Sequence, residues 1–142
     1  MDLAGLRNTL RQWFRGKVAD VPLLAVLDLV VPNEVTDHGV KDTYLRFSIQ
    51  TGEAAVTGVG TAVKRRTRVG RVFVEVIGPL NEGDGSVTEI ATAVEQIWRD
   101  AMVAANSPDP LIYIDEPSSF ERNEDDRYCQ VVSVPFRADL LS

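Results

Sequence analysis

Two stretches of period-two alternation sit one after the other with no helical pattern between them, and this constrains the fold more than any other feature. In TYLRFSIQTG, Leu45, Phe47 and Ile49 point one way and Arg46, Ser48 and Gln50 the other. From Lys64 to Ile77, Val72, Val74 and Val76 share one face, and Arg71, Phe73, Glu75 and Ile77 the other. Such alternation marks strands with one buried face. Consecutive strands without a crossover helix pair antiparallel. Gly52 to Gly60, between them, reads as a loop or hairpin tip.

Two amphipathic helices flank this hairpin. Leu3, Leu6, Leu10, Trp13 and Phe14 recur at helical spacing, with Arg7, Arg11 and Arg15 between them, and Gly16 is the expected stop. Ser86 and Glu89 have capping-box spacing and open a second helix. Its stripe is Val87, Ile90, Val94, Ile97, Trp98 and Ala101, and it is expected to end near Ala105.

The remaining segments read as follows. Val21 to Val31 is a short strand or extended crossing, Asn33 to Asp42 a surface loop, and Leu111 to Ile114 a short strand. Glu116 to Asp126, with five acidic residues, is a turn or hairpin tip. Tyr128 to Phe136 is the last strand, and Pro135 points to an edge or a strand end. The expected architecture is α+β: a mostly antiparallel or mixed sheet with two helices on one face. At 142 residues, one domain spanning 1–142 suffices.

Composition narrows function. A net charge of -6 argues against wrapping nucleic acid or lying on anionic lipid. No apolar run approaches a membrane helix and the N-terminus lacks a signal-peptide core, so the chain is expected to stay where it is translated. One cysteine, Cys129, excludes an intrachain disulfide and reads as a buried structural thiol. His38 alone, in a polar loop, reads as solvated. GPLNEGDGS lacks the Gly-Lys-Ser/Thr of a phosphate loop.

No set of residues forms a nucleophile, base or metal centre, so the chain is expected not to be an enzyme and to need no cofactor. The acidic turn, with Glu121, Glu124, Asp125 and Asp126, leaves a weak cation site or a metal-dependent hydrolase as the competing class. Lys64, Arg65, Arg66, Arg68 and Arg71 make the one sharp charge feature. They read either as a charged strand end that resists aggregation or as a contact with an acidic surface, a sister subunit being the nearest.

Four blocks in order carry a family resemblance: the helix ending Gln12-Trp13-Phe14; the strand Tyr44-Leu45-Arg46-Phe47; Lys64 to Gly70 running into Val72 to Val76, then Pro79, a glycine-rich turn and the Val87 to Trp98 helix; and Tyr128 to Asp139. Together they resemble the tail terminator proteins of long-tailed, siphovirus-type bacteriophages over nearly the whole chain. The acidic segment from Glu121 to Asp126 is longer than that pattern.

The resemblance implies a ring, sixfold by expectation, that caps the tail tube, stops its polymerisation and offers a surface to head-completion or connector proteins. DNA would pass through the lumen without specific binding. The site would be the head-proximal end of the virion tail, assembled in the host cytoplasm. A tail-tube or connector subunit is the neighbouring alternative. Expected subunit or partner contacts are the basic strand, Glu53 and Thr57 in the glycine-rich segment, and Glu121 and Glu124 in the acidic one.

Overall fold

The computed structural model describes residues 3–30, 43–56, 65–79, 85–124 and 127–141; His38, Thr57, Lys64, Asp125 and Asp126 lie outside them. The fold is α+β. Its helices are α1 (Leu3–Asp20), α2 (Pro22–Ala25) and α3 (Gly85–Asp100), with a 3-10 turn at Ala104–Asn106. Its strands are β1 (Leu29–Val30), β2 (Tyr44–Val56), β3 (Arg65–Pro79), β4 (Ile112–Ile114), β5 (Ser118–Glu124) and β6 (Arg127–Leu141). They form a mixed sheet in the order β1-β2-β3-β6-β4, with β5 also on β6. Among the described residues only β1 with β2 is parallel; the other pairs are antiparallel.

The register explains the core. Leu45 faces Val76, Phe47 faces Val74 and Ile49 faces Val72, and β3 continues with Val74 opposite Val132 and Val72 opposite Val134. Directly paired residues share a sheet face, so one apolar face runs across β2, β3 and β6. Leu6, Leu10, Phe14 and Val18 of α1, and Val87, Ile90, Val94 and Trp98 of α3, are buried in the same cluster. Phe14 stacks between Phe47 at 5.6 Å and Trp98 at 5.4 Å, joining both helices to the sheet.

Several expectations are corrected. Helix α1 does not stop at Gly16 but runs to Asp20. The stripe Leu6, Leu10, Phe14 continues to buried Val18, and that packing outweighs the roughly 1 kcal/mol a helical glycine costs. Val21 to Val31 is mainly not extended: Pro22 opens the short helix α2 behind the extended Val21, and only Leu29–Val30 pairs as strand. Helix α3 starts at Gly85, so Ser86 lies inside its first turn, and it ends at Asp100 rather than near Ala105.

Strand β2 continues past Gly52 to Val56. Between the pairs Thr51–Gly70 and Ala54–Arg68, Gly52 and Glu53 oppose Val69 alone, which is a bulge. The segment read as an acidic turn is largely the strand β5, paired with β6 from Ser118–Ser133 to Glu124–Arg127.

Pro135 lies neither at an edge nor at a strand end. It sits within β6, opposite Arg71 on one side, between the stretches that pair with β5 and β4 on the other. Its carbonyl accepts from the Asp115 amide at 2.9 Å. In an antiparallel strand a residue's N–H and C=O point to the same side. The missing N–H therefore falls where β5 hands over to β4, not in the β3 ladder.

Candidate functional site: the open face of the sheet

Helices cover one face of the sheet. On the other, no helix of the described residues packs, yet the middle of that face is dry. Ile77, Cys129 and Val131 form a second buried cluster there, with Tyr44 and Phe73 against it. Register carries this face across the strands through Arg46–Glu75, Glu75–Val131 and Phe120–Val131.

At its centre Glu75 is only 8% exposed. A carboxylate leaves water at high cost unless it is paired. The pairing comes from the flanking strands: the Arg46 and Arg122 guanidiniums both donate to Glu75 Oε2, Arg122 at 2.5 Å. The Cys129 thiol lies 3.7 Å from the same oxygen. Cys129 is thus buried, as expected, but beside a charged network. Arg127 lies over the Tyr44 ring at 5.7 Å.

Toward the far end of β6 this face opens into a cleft of about 750 Å³. Arg71, Arg137, Tyr113, Val69, Gln50 and Pro135 are among its lining residues. Arg71 donates to Ser133 Oγ at 2.9 Å, and Arg137 lies over the Tyr113 ring at 4.6 Å. Val69 opposes Arg137 and Arg71 opposes Pro135, so the two arginines are diagonal neighbours on adjacent strands. Asp115 lines the cleft as well. Among the described residues, the exposed apolar side chains of this face are Val69, Tyr113 and Phe120, at 54%, 46% and 48%.

The face is locally basic in an acidic chain. It carries Arg46, Arg71, Arg122, Arg127 and Arg137 against Glu75, Asp115 and Asp139 among the described side chains. The chain as a whole has 15 basic residues against 21 acidic ones.

The expected contact residues are distributed rather than gathered. Arg71 is on the open face. Arg68, two positions from Gly70, falls on the helix-bearing face and donates to the Gly52 carbonyl at 2.9 Å, bracing the bulge. Arg65 and Arg66 pair with Leu141 and Leu140 in the ladder, and Glu53 and Glu124 lie in β2 and β5; the side chains of these four are outside the described set. Lys64 and Thr57 are outside it altogether. Glu121 is exposed on β5 opposite Gln130, and Glu116 pairs with Arg99 of α3 at 3.1 Å.

Among the described residues no group of three or more His, Cys, Asp or Glu side chains could hold a metal ion. Nor is any helix there long and apolar enough to cross a membrane.

The Glu75 network escaped the sequence reading, although Glu75 alternating with Val74 and Val76 was its signal. Arg46 and Arg122 lie 29 and 47 positions away, and only register joins them.

No protein-family model matches the chain, and no curated protein does. Solved structures do match. One such chain, 14% identical, superposes with a TM-score of 0.70 over 99% of this chain and 97% of its own length. At that identity the likeness shows a shared fold and nothing further.

Proposed function

We propose that this chain is the tail terminator of a long-tailed bacteriophage. Copies form a ring, sixfold by analogy, on the finished tail tube. The ring blocks further addition of the tube protein and offers the head-completion or connector proteins their joining surface. DNA passes through its lumen without specific binding, and the protein resides at the head-proximal end of the virion tail.

The observation that carries this reading is the open face. A sheet with one face under helices and the other left to side chains has a surface suited to another protein. Here that surface combines arginines with exposed Tyr113, Phe120 and Val69, and arginine and aromatic residues are enriched at protein interfaces. The order of the four sequence blocks, from Gln12-Trp13-Phe14 to Asp139, supports the specific assignment. The mechanism is steric and needs no chemistry. A ring that shares the tube's rotational symmetry lets every subunit make the same contact. Modest contacts then hold tightly because they are linked.

The test is tube growth. Purified tubes supplied with fresh tube protein should stop lengthening when this protein is added, as seen by electron microscopy. Deleting its gene should give tails of uncontrolled length that do not join heads. Unaltered growth together with normal tails in the deletion strain would overturn the assignment.

A further inference from the structure

We infer that the Arg71–Arg137 cleft is a docking site for a short acidic peptide: an extended segment of another protein that brings a carboxylate and, beside it, an apolar side chain. This deepens the reading of the open face as a joining surface and rests on it.

Two rows of side chains build the cleft. Gln50 faces Arg71 and Arg71 faces Pro135, across β2, β3 and β6. Two positions along, Val69 faces Arg137 and Arg137 faces Tyr113, across β3, β6 and β4. Pro135 and the bulge residue Gly52, with little or no side chain to raise, are the low points among them.

The cleft asks for an anion. Arg71 and Arg137 are exposed, and their polar contacts, to the Ser133 hydroxyl and the Tyr113 ring, are neutral. Diagonal neighbours on paired strands lie roughly 7–8 Å apart, near enough for two long guanidiniums to reach one carboxylate. Asp115 does not fill that role: its carboxylate accepts from the Glu116 amide at 2.8 Å.

The cleft also asks for a donor. The Asp115 amide donates to the Pro135 carbonyl at 2.9 Å. In such an antiparallel pair the second bond runs back from the opposite N–H, which proline lacks. The Asp115 carbonyl, at the cleft, therefore receives no ladder bond in return. Exposed Val69 and Tyr113 add apolar surface beside the arginines.

A peptide meets all three demands with a side-chain carboxylate, a backbone N–H and an apolar side chain. A phosphate backbone offers acceptors but no donor. A polyanion would also feel the net charge of -6, whereas a single carboxylate feels chiefly the two arginines beside it. Strands β3 and β6 are paired on both sides here, so the segment rests on side chains and crosses the strands. From β2 to β4 the cleft spans three strand spacings, roughly 14 Å, the length of about four extended residues. A contact this small is weak alone and holds when repeated around a ring, because linked sites bind at high effective concentration.

The test is titration of isotope-labelled protein with blocked synthetic octapeptides, read by amide chemical shifts. Asp-Leu repeats are the probe. Asn-Leu repeats lack the carboxylates, Asp-Ser repeats lack the apolar side chains, and a thymidine oligonucleotide supplies phosphate. The Asp-Leu peptide should shift the amides of Gln50, Val69, Tyr113 and Arg137. Each altered peptide should bind at least about tenfold more weakly, the scale of one lost charge-assisted hydrogen bond or one unburied leucine. Arg71→Glu with Arg137→Glu should abolish the shifts. The neutral Arg71→Gln with Arg137→Gln should bring the Asp-Leu peptide down to the level of the Asn-Leu one. Unchanged circular dichroism and melting temperature confirm folding of the variants, and the comparison of peptides on wild type needs no variant at all.

No binding of the Asp-Leu peptide at millimolar concentration, equal binding of the Asn-Leu peptide, or shifts confined to another surface overturns the inference. So does the oligonucleotide shifting the same amides more strongly, since phosphate would then be the anion. Shifts of those amides on dilution of the protein alone overturn it too, because a second copy would then be the occupant. Tube capping by a protein that ignores every peptide would leave the terminator assignment standing. Peptide binding without capping would remove that assignment and leave the cleft, so the two fail separately.

Discussion

At Trp98 three aromatic rings meet: Phe14 stacks on it at 5.4 Å and Trp13 lies tilted at 4.8 Å. The indole is fully buried where α3, α1 and the sheet converge. Trp98→Ala should therefore cost about 3–5 kcal/mol, a fall in melting temperature on the order of 10 °C by calorimetry; an unchanged melting point would show that the indole contributes nothing to the core. Glu75 calls for a different measurement. Glu75→Gln leaves Arg46 and Arg122 without their shared carboxylate and should cost at most about 1.5–3 kcal/mol, the range for hydrogen bonds to charged groups. Because both guanidiniums are partly exposed, solvent screens part of the loss. A double-mutant cycle with Arg122→Gln should return a coupling on the same scale, and additive losses would mean no interaction. These two residues also mark how far single-residue reading reaches. Trp98 was legible because a helical stripe is a local pattern. The charge cluster was not, because alternation assigns Glu75 to a face without telling what lies across it.

Among the elements, what was legible depended on whether apolar burial or the backbone ladder sets the structure. The alternating strands β2 and β3 and the striped helices α1 and α3 carry their periods in their own side chains. Strand β5 does not: SSFERNE has Phe120 as its one apolar residue, shows no apolar alternation, and becomes a strand through its ladder to β6. Pro135 misleads for a related reason, since proline forbids one hydrogen bond and β6 needs none from it at that side. The pairing of β2, β3 and β6 has a sharp test at Gly70. A Cβ there would lie 2.3 Å from the Gln50 carbonyl oxygen and 2.8 Å from the Phe136 ring. The first of these neighbours is backbone and cannot swing away. Gly70→Ala should thus destabilise by about 1–3 kcal/mol, as overpacking does, with urea unfolding as the readout. An alanine variant of wild-type stability would mean that β2 and β3 are not so closely paired at Thr51.

Taken as a whole, the molecule sets a positive balance of described side chains on the open face of a chain whose net charge is -6. Ionic strength then tells which force governs assembly. Screening shortens the reach of charge from about 10 Å at 0.1 M salt to about 3 Å at 1 M. Contacts led by Arg71 and Arg137 against carboxylates should loosen over that range. Contacts led by Val69, Tyr113 and Phe120 would not, because apolar burial does not depend on screening, and a salt such as sulfate strengthens it. The two contributions therefore differ in sign under sulfate. If these arginines lead the contact between copies, sedimentation at fixed protein concentration should shift toward 15.6 kDa as sodium chloride rises. A variant carrying Arg71→Glu with Arg137→Glu, already without that attraction, should show no such shift. Assembly that tightens with salt would assign the junction to the apolar side chains alone. In assembly Arg71 and Arg137 would then serve only to keep the open face soluble.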